Sequence, residues 1–168
     1  MMTAIDTALQ DLPLGLRTLA AEPMLVIKLE ISAPYNVGKA PSGERRLVVV
    51  NGGTFIGPDD LRGSIAPGGN DSVTVRGDGS VLLDARIILN TDAGETILMT
   101  YSGLRTGDPA TMQRLANGEN VDPADYYFRI WGTCETSSST LSWMNNVLVV
   151  GKGHRQAQTI AYSVFRVS

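Results

Sequence analysis

Scarcity is the most informative property of this sequence. Its 168 residues include one cysteine and one histidine. A lone Cys134 rules out an intramolecular disulfide framework. One thiol and one imidazole cannot build a zinc site of usual composition, so no metal is expected. A hydrolase triad would have to recruit His154, which sits in Gly151-Lys152-Gly153-His154-Arg155-Gln156. That stretch reads as a surface turn, and no G-x-S-x-G elbow accompanies it. No apolar run approaches the roughly 20 residues of a membrane span. The first twenty residues lack a basic region followed by an apolar one, as a secretory signal would have. Lys+Arg number 14 against 17 Asp+Glu, a net charge of −3. Scattered charge of this sign argues against nucleic acid and against an anionic membrane surface as partner. A soluble, cytoplasmic protein is expected, whose chemistry must rest on carboxylates, Arg, Tyr, Asn and Trp.

What is present is a globular composition, 43% apolar and 18% charged. At this length it suits one domain. Residues 1–22 read as an N-terminal extension: Ile5, Leu9 and Leu12 follow helical spacing and Pro13 ends the run. Residues 23–168 read as a single domain of strands. Met24–Ile31 is a β-rich run, 34–44 reads as a loop punctuated by Pro and Gly, and Arg46–Val50 is a second strand. Asn51–Gly69 has the Gly and Pro content of bulged or corner strands. Val73–Arg76 and Val81–Leu89 flank a Gly77-Asp78-Gly79 hairpin turn. Thr96–Tyr101 follows. A helix is predicted from Pro109 to Gly118, capped by Asp108. Tyr126–Glu135, Leu141–Val150 and Ala157–Val167 complete about nine strands in mostly sequential order. Without β-helix-β alternation a parallel sheet is disfavoured, and closure of an antiparallel up-and-down sheet removes its edges.

Gly52-Gly53-Thr54-Phe55-Ile56-Gly57 invites comparison with a phosphate-binding loop. Pro58 and Asp59 follow where Lys and then Ser or Thr would be needed, so a bulge is preferred. Asn70-Asp71-Ser72 matches a glycosylation sequon only incidentally. Strand parity is more telling. Asp84 and Arg86 share one face. So do Tyr127, Arg129 and Trp131, and so do Trp143 and Asn145. Arg, Asp, Tyr, Trp and Asn are the residue types of recognition surfaces and polar pockets rather than of a plain solvent face. The alternative is an ordinary surface ion pair with aromatic girders in the core.

Ordered motifs add to this reading. They are Gly52-Gly53-Thr54-Phe55-x-Gly57, Leu61-Arg62-Gly63, Pro67-Gly68-Gly69-x-Asp71, Asp78-Gly79, Leu83-Asp84-Ala85-Arg86, Thr91-Asp92-x-Gly94, Tyr127-Phe128-Arg129, Glu135-Thr136 and Trp143-x-Asn145. Together they resemble the domain-of-unknown-function family numbered 3237, also called uncharacterised protein family 0311, from about Met24 to Val167. The resemblance departs at Ser72, where the family has Trp, at Met144, where it has Leu, and in Trp131–Cys134. It implies an all-β fold: a closed antiparallel β-barrel, lipocalin-like or allene-oxide-cyclase-like, of about 8–9 strands with one or two short helices. It also implies self-association, as a homodimer or higher homo-oligomer.

These readings converge on a barrel that binds a small molecule. The expected activity is cofactor-free isomerisation, cyclisation or addition/elimination on a carbonyl- or phenol-containing metabolite. Asp84 or Asp71 would act as general base, Arg86 and Arg129 would hold an oxyanion, and Tyr127 would donate to it. Arg62, Trp131, Trp143, Asn145 and Glu135 would contact the substrate, with Glu135 the alternative base if Asp84 and Arg86 neutralise each other. A non-catalytic carrier and a structural barrel without a pocket are the competing expectations.

Overall fold

The computed structural model describes residues 3–168; the first two residues of the expected 1–22 extension lie outside the described residues. Ten strands form: β1 (Ala21–Ile31), β2 (Tyr35–Ala40), β3 (Gly43–Ile56), β4 (Arg62–Ile65), β5 (Asn70–Val75), β6 (Val81–Thr91), β7 (Thr96–Thr106), β8 (Tyr127–Thr136), β9 (Leu148–Arg155) and β10 (Thr159–Val167). From β6 to β10 each strand pairs antiparallel with the next. β1 pairs with both β10 and β3. β4 and β5 together bridge β3 to β6. The sheet therefore closes as an eight-position antiparallel barrel, with β2 as an extra strand on β3.

Three local expectations are corrected. Residues 34–44 contain strand β2, a hairpin with the start of β3, because Gly38 and Gly43 take positive φ and let the chain bulge and turn without leaving the sheet. Leu141–Val150 is not one strand. Ser142–Asn146 is a 3₁₀ turn, and β9 runs on to Arg155. The Asn145 side chain stops the strand, accepting from Thr136 N at 2.8 Å and donating to Thr136 O at 3.0 Å. This seats Met144, which is fully buried, in the end of the barrel. His154 lies within β9 opposite Ala161, not in a turn.

Two helices complete the fold. α1 (Ala4–Gln10) carries a capping box between Thr3 and Asp6 and buries no residue. α2 (Pro109–Ala116) connects β7 to β8. Asp108 caps it as predicted, accepting from Ala110 N and Thr111 N at 3.0 Å each.

The Gly52-Gly53 pair is a bulge, as preferred. Glu30 faces Gly52 but Ile31 faces Val50, so Asn51 is the extra residue. Gly53 has φ +140°, and a Cβ there would lie 2.1 Å from the Lys28 carbonyl. Gly53→Ala is expected to destabilise the fold by at least about 2 kcal/mol, from backbone strain plus overlap. Urea titration of the two proteins measures it.

Alternation sorts the barrel. In β6, Val81, Leu83, Ala85, Ile87, Leu89 and Thr91 point inward, and the intervening residues point out. One end of the interior is apolar, with Leu89, Ile97, Cys134, Val149 and Met144. Cys134 there is buried and its thiol is pushed up to about 11, so it stays protonated and unreactive. The opposite end, where β7 finishes and β8 begins, is polar.

Candidate functional site

The polar end is built by inward residues of successive strands. Asp71 on β5 faces Ala85 on β6, which faces Tyr101 on β7. Two inward positions further along, past Gly103, Arg105 faces Phe128 on β8, and Tyr162 on β10 faces Gly153 on β9. A Cβ at Gly153 would stand 2.6 Å from the Phe128 ring, so glycine there is what lets the ring lie across the interior. Arg105 stacks on that ring at 5.5 Å, and Tyr162 meets it edge-on at 5.6 Å. Tyr101 meets Tyr162 edge-on at 5.6 Å. Arg155 and Arg46 complete the mouth. The Arg155 backbone N–H donates to the Tyr126 hydroxyl at 2.9 Å, and Arg46 pairs with Glu44 at 2.6 Å.

Two buried groups in this cluster lack a hydrogen-bond partner: Arg105 Nε and the Tyr162 hydroxyl. The Tyr101 and Tyr162 phenols come close enough to act on each other's titration as weak hydrogen-bond partners, but the Tyr162 hydroxyl has no well-formed hydrogen bond. Arg105 forms no ion pair among the described residues. Burial lowers the Arg105 pKa, and nearby Tyr162 and Asp71 oppose that shift. Arginine starts so high that it remains cationic. Burial raises the Asp71 carboxyl to about 7, against the N–H of Asp84, which donates to Oδ1 at 3.1 Å, and against the attraction of Arg105 and Arg155. Both tyrosine hydroxyls are pushed above their ordinary value, chiefly by burial, and stay neutral. The mouth thus holds a carboxyl poised near neutrality, unsatisfied donors and a free cation.

An unpartnered buried hydroxyl costs stability. Tyr162→Phe is therefore expected to raise stability by about 1–2 kcal/mol, seen as a higher midpoint in urea, while weakening whatever the hydroxyl receives.

Of the residues singled out in the sequence, Asp71 alone belongs to this cluster. Asp84 and Arg86 lie on the outer face of β6, exposed, and pair with each other at 3.2 Å. The parity was read correctly, but the face was inverted, because Leu83, Ala85, Ile87 and Leu89 bury far more apolar surface than their neighbours could. Arg62 is exposed and pairs with Asp60 at 2.7 Å. Glu135 is exposed on the outside of β8. Trp143 packs against the core beneath Arg166 at 5.4 Å, and Asn145 holds the end of β8. Tyr127, Arg129 and Trp131 do come together, but outside, where Arg129 lies over the Tyr127 ring at 4.7 Å. Arg105, Arg155, Tyr101, Tyr126 and Tyr162 were missed. Their signal was available: Tyr101 and Arg105 continue the apolar face of Ile97 and Met99, and Tyr162 sits between Ile160 and Val164. Ending the β7 strand at Tyr101 hid Arg105.

The chain is 32% identical over 148 residues to a UPF0311 protein of Clostridium acetobutylicum, covering 88% of this chain and 93% of that one. A conserved protein of unknown function from Rhodopseudomonas palustris has a crystal structure with TM-score 0.87 and 28% identity, over 90% of this chain and 99% of the other. A beta-barrel like protein from Acinetobacter baumannii gives TM-score 0.78 and 33% identity, over 90% and 97%. An enzyme from Penicillium herquei shares the fold at TM-score 0.63 and 20% identity, over 90% and 94%. The sequence profile of the family described as "Protein of unknown function (DUF3237)" matches residues 19–167. The chain belongs to that family.

Proposed function

We propose that the polar mouth of the barrel binds a small organic molecule and moves a proton on it without a cofactor. The reactions that fit are isomerisation, cyclisation, or addition and elimination at a carbonyl or phenol. Asp71 is the proton carrier, since a carboxyl titrating at about 7 can both take and give a proton near neutral pH. Arg105 and the Tyr162 hydroxyl stabilise the oxygen on which negative charge develops. Phe128 and Tyr101 supply flat apolar walls for a planar substrate. The observation that carries this reading is the pair of buried donors, Arg105 Nε and Tyr162 Oη, left without partners beside a buried carboxyl. A stable core rarely leaves such groups unpaired, and a bound oxyanion would satisfy both. The distantly similar enzyme from Penicillium herquei is consistent with catalysis on this fold.

The test has two stages. A thermal-shift screen against aromatic acids, phenols and polyketide-like lactones should return ligands that raise the melting point of the wild type and not of Arg105→Gln. In D₂O, the protein should then accelerate exchange of the acidic C–H protons of a binding enone or 1,3-dicarbonyl, followed by NMR. Asp71→Asn should reduce that acceleration by about 100-fold or more. Binding with no exchange, unaffected by Asp71→Asn, would make the protein a carrier. Absence of any ligand would remove both readings.

A further inference from the structure

The outer face of the barrel holds a second unsatisfied surface. Pro23, Phe165, Val150 and Trp131 lie opposite one another across β1, β10, β9 and β8. Trp131 is 51% exposed and Val150 37%. Phe165, Val150 and Trp131, with Ala21, Tyr127, Arg129 and Lys152, line an open groove of about 540 Å³. Arg129 and Lys152 are directly opposed in register, and neither has an acidic partner among the described residues. Like charges facing across a strand pair repel, and Asp122 and Asp125, which line an adjoining pocket with them, make no ion pair to either. Apolar aromatics with Arg, exposed together, have the composition of a protein interface.

The same chain carries a segment with the complementary need. Residues 3–20 pack no side chain into the barrel, and Leu14, Leu16 and Leu19 are 78%, 67% and 80% exposed. A helix as short as α1 gains little stability in isolation and depends on a packed face. The charges of this arm are Asp6, Asp11 and Arg17, and the Arg17 guanidinium is already bound to the carbonyls of Gln10 and Leu12. The arm therefore offers free negative charge at Asp11 and an aliphatic stripe. It leaves the barrel at Ala21, on the edge of the groove, and lies almost wholly outside the family match, which begins at residue 19.

We propose that the N-terminal arm of one copy lies in the β8–β9–β10 groove of a second copy, in a reciprocal exchange. Leu14, Leu16 and Leu19 cover Trp131, Val150 and Phe165, and Asp11 supplies the ion-pair contact that Arg129 and Lys152 do not make within their own chain. A two-fold arrangement satisfies both copies equally, because each chain carries the arm and the groove. The eighteen residues 3–20 approach the roughly 20–30 residues a side of a standard interface.

Sedimentation of the full chain tests this, with a charge exchange. The wild type should run as a dimer of twice 17.9 kDa at micromolar concentration. Asp11→Lys and Lys152→Glu should each weaken the dimer by about tenfold. Combined in one chain, they should restore most of the lost affinity. Removal of residues 1–18 should abolish dimerisation and leave the circular dichroism of the barrel intact. A monomer at 100-fold higher concentration would overturn the proposal. So would a dimer indifferent to arm removal, or a double variant no tighter than the singles.

Discussion

Asp71→Asn is expected to make the protein more stable at pH 8, by on the order of 4 kcal/mol, while removing the chemistry proposed for it. The unfolded carboxyl titrates at 3.8 and the folded one at about 7. Between those values the folded state holds a proton that the unfolded state has released. Wild-type stability is therefore fully present below about pH 4 and falls as pH rises to about 7, at roughly 1.4 kcal/mol per unit. The folded value already contains the attraction of Arg105 and Arg155, so burial outweighs both cations. Asn mimics the neutral acid, and its carbonyl can still accept the Asp84 N–H. The variant should lose the pH slope between 4 and 7 and melt about 10 °C higher at pH 8. Urea midpoints of both proteins across this pH range measure the effect. A wild-type slope of the opposite sign would show that the cations govern Asp71 and that it is no base at neutral pH. A gain in stability together with a loss of function is what a site held against its own desolvation cost should display.

Phe128→Ala should be the most damaging single truncation near the mouth, costing about 3–5 kcal/mol. The side chain is fully buried and contacts Tyr162, the Arg105 guanidinium and the bare Gly153 backbone. Its removal leaves a cavity where neither Arg105 nor Tyr162 can move in without moving its strand. Gly153→Ala alone should cost about 1–3 kcal/mol, because the new methyl overlaps the ring. In the double variant that methyl enters the vacated space, so its separate cost should vanish. A double-mutant cycle from urea unfolding reads this coupling directly. Additive costs would mean that glycine at 153 is required by the backbone and not by the ring. Arg105 should also lose ligand affinity in Phe128→Ala, since the ring fixes the face on which its guanidinium lies.

The barrel was legible because its evidence is local and repeated. Asp78-Gly79 between β-branched runs, Asp108-Pro109 at a helix start and the Gly52-Gly53 bulge each state their geometry within a few residues. The short helix and sequential pairing followed from spacing. The hairpin of β2 and the 3₁₀ turn at Ser142–Asn146 were less readable, since tertiary bonds such as Asn145 to the Thr136 backbone decided them.

The candidate site divides along the same line. By itself the sequence determined an antiparallel barrel and, through the family resemblance, offered Asp71 as a candidate base. The first rests on turn and strand signals between neighbours in the chain, the second on a motif match. Only the tertiary structure decided which face of each strand is inside. An alternating strand has two faces, and the choice between them rests on the summed burial of all eight barrel positions at once. That choice sent Asp84, Arg86 and Tyr127 into water and drew Arg105 of β7 and Tyr162 of β10, far apart in sequence, onto one phenylalanine ring, with Tyr101 edge-on to Tyr162.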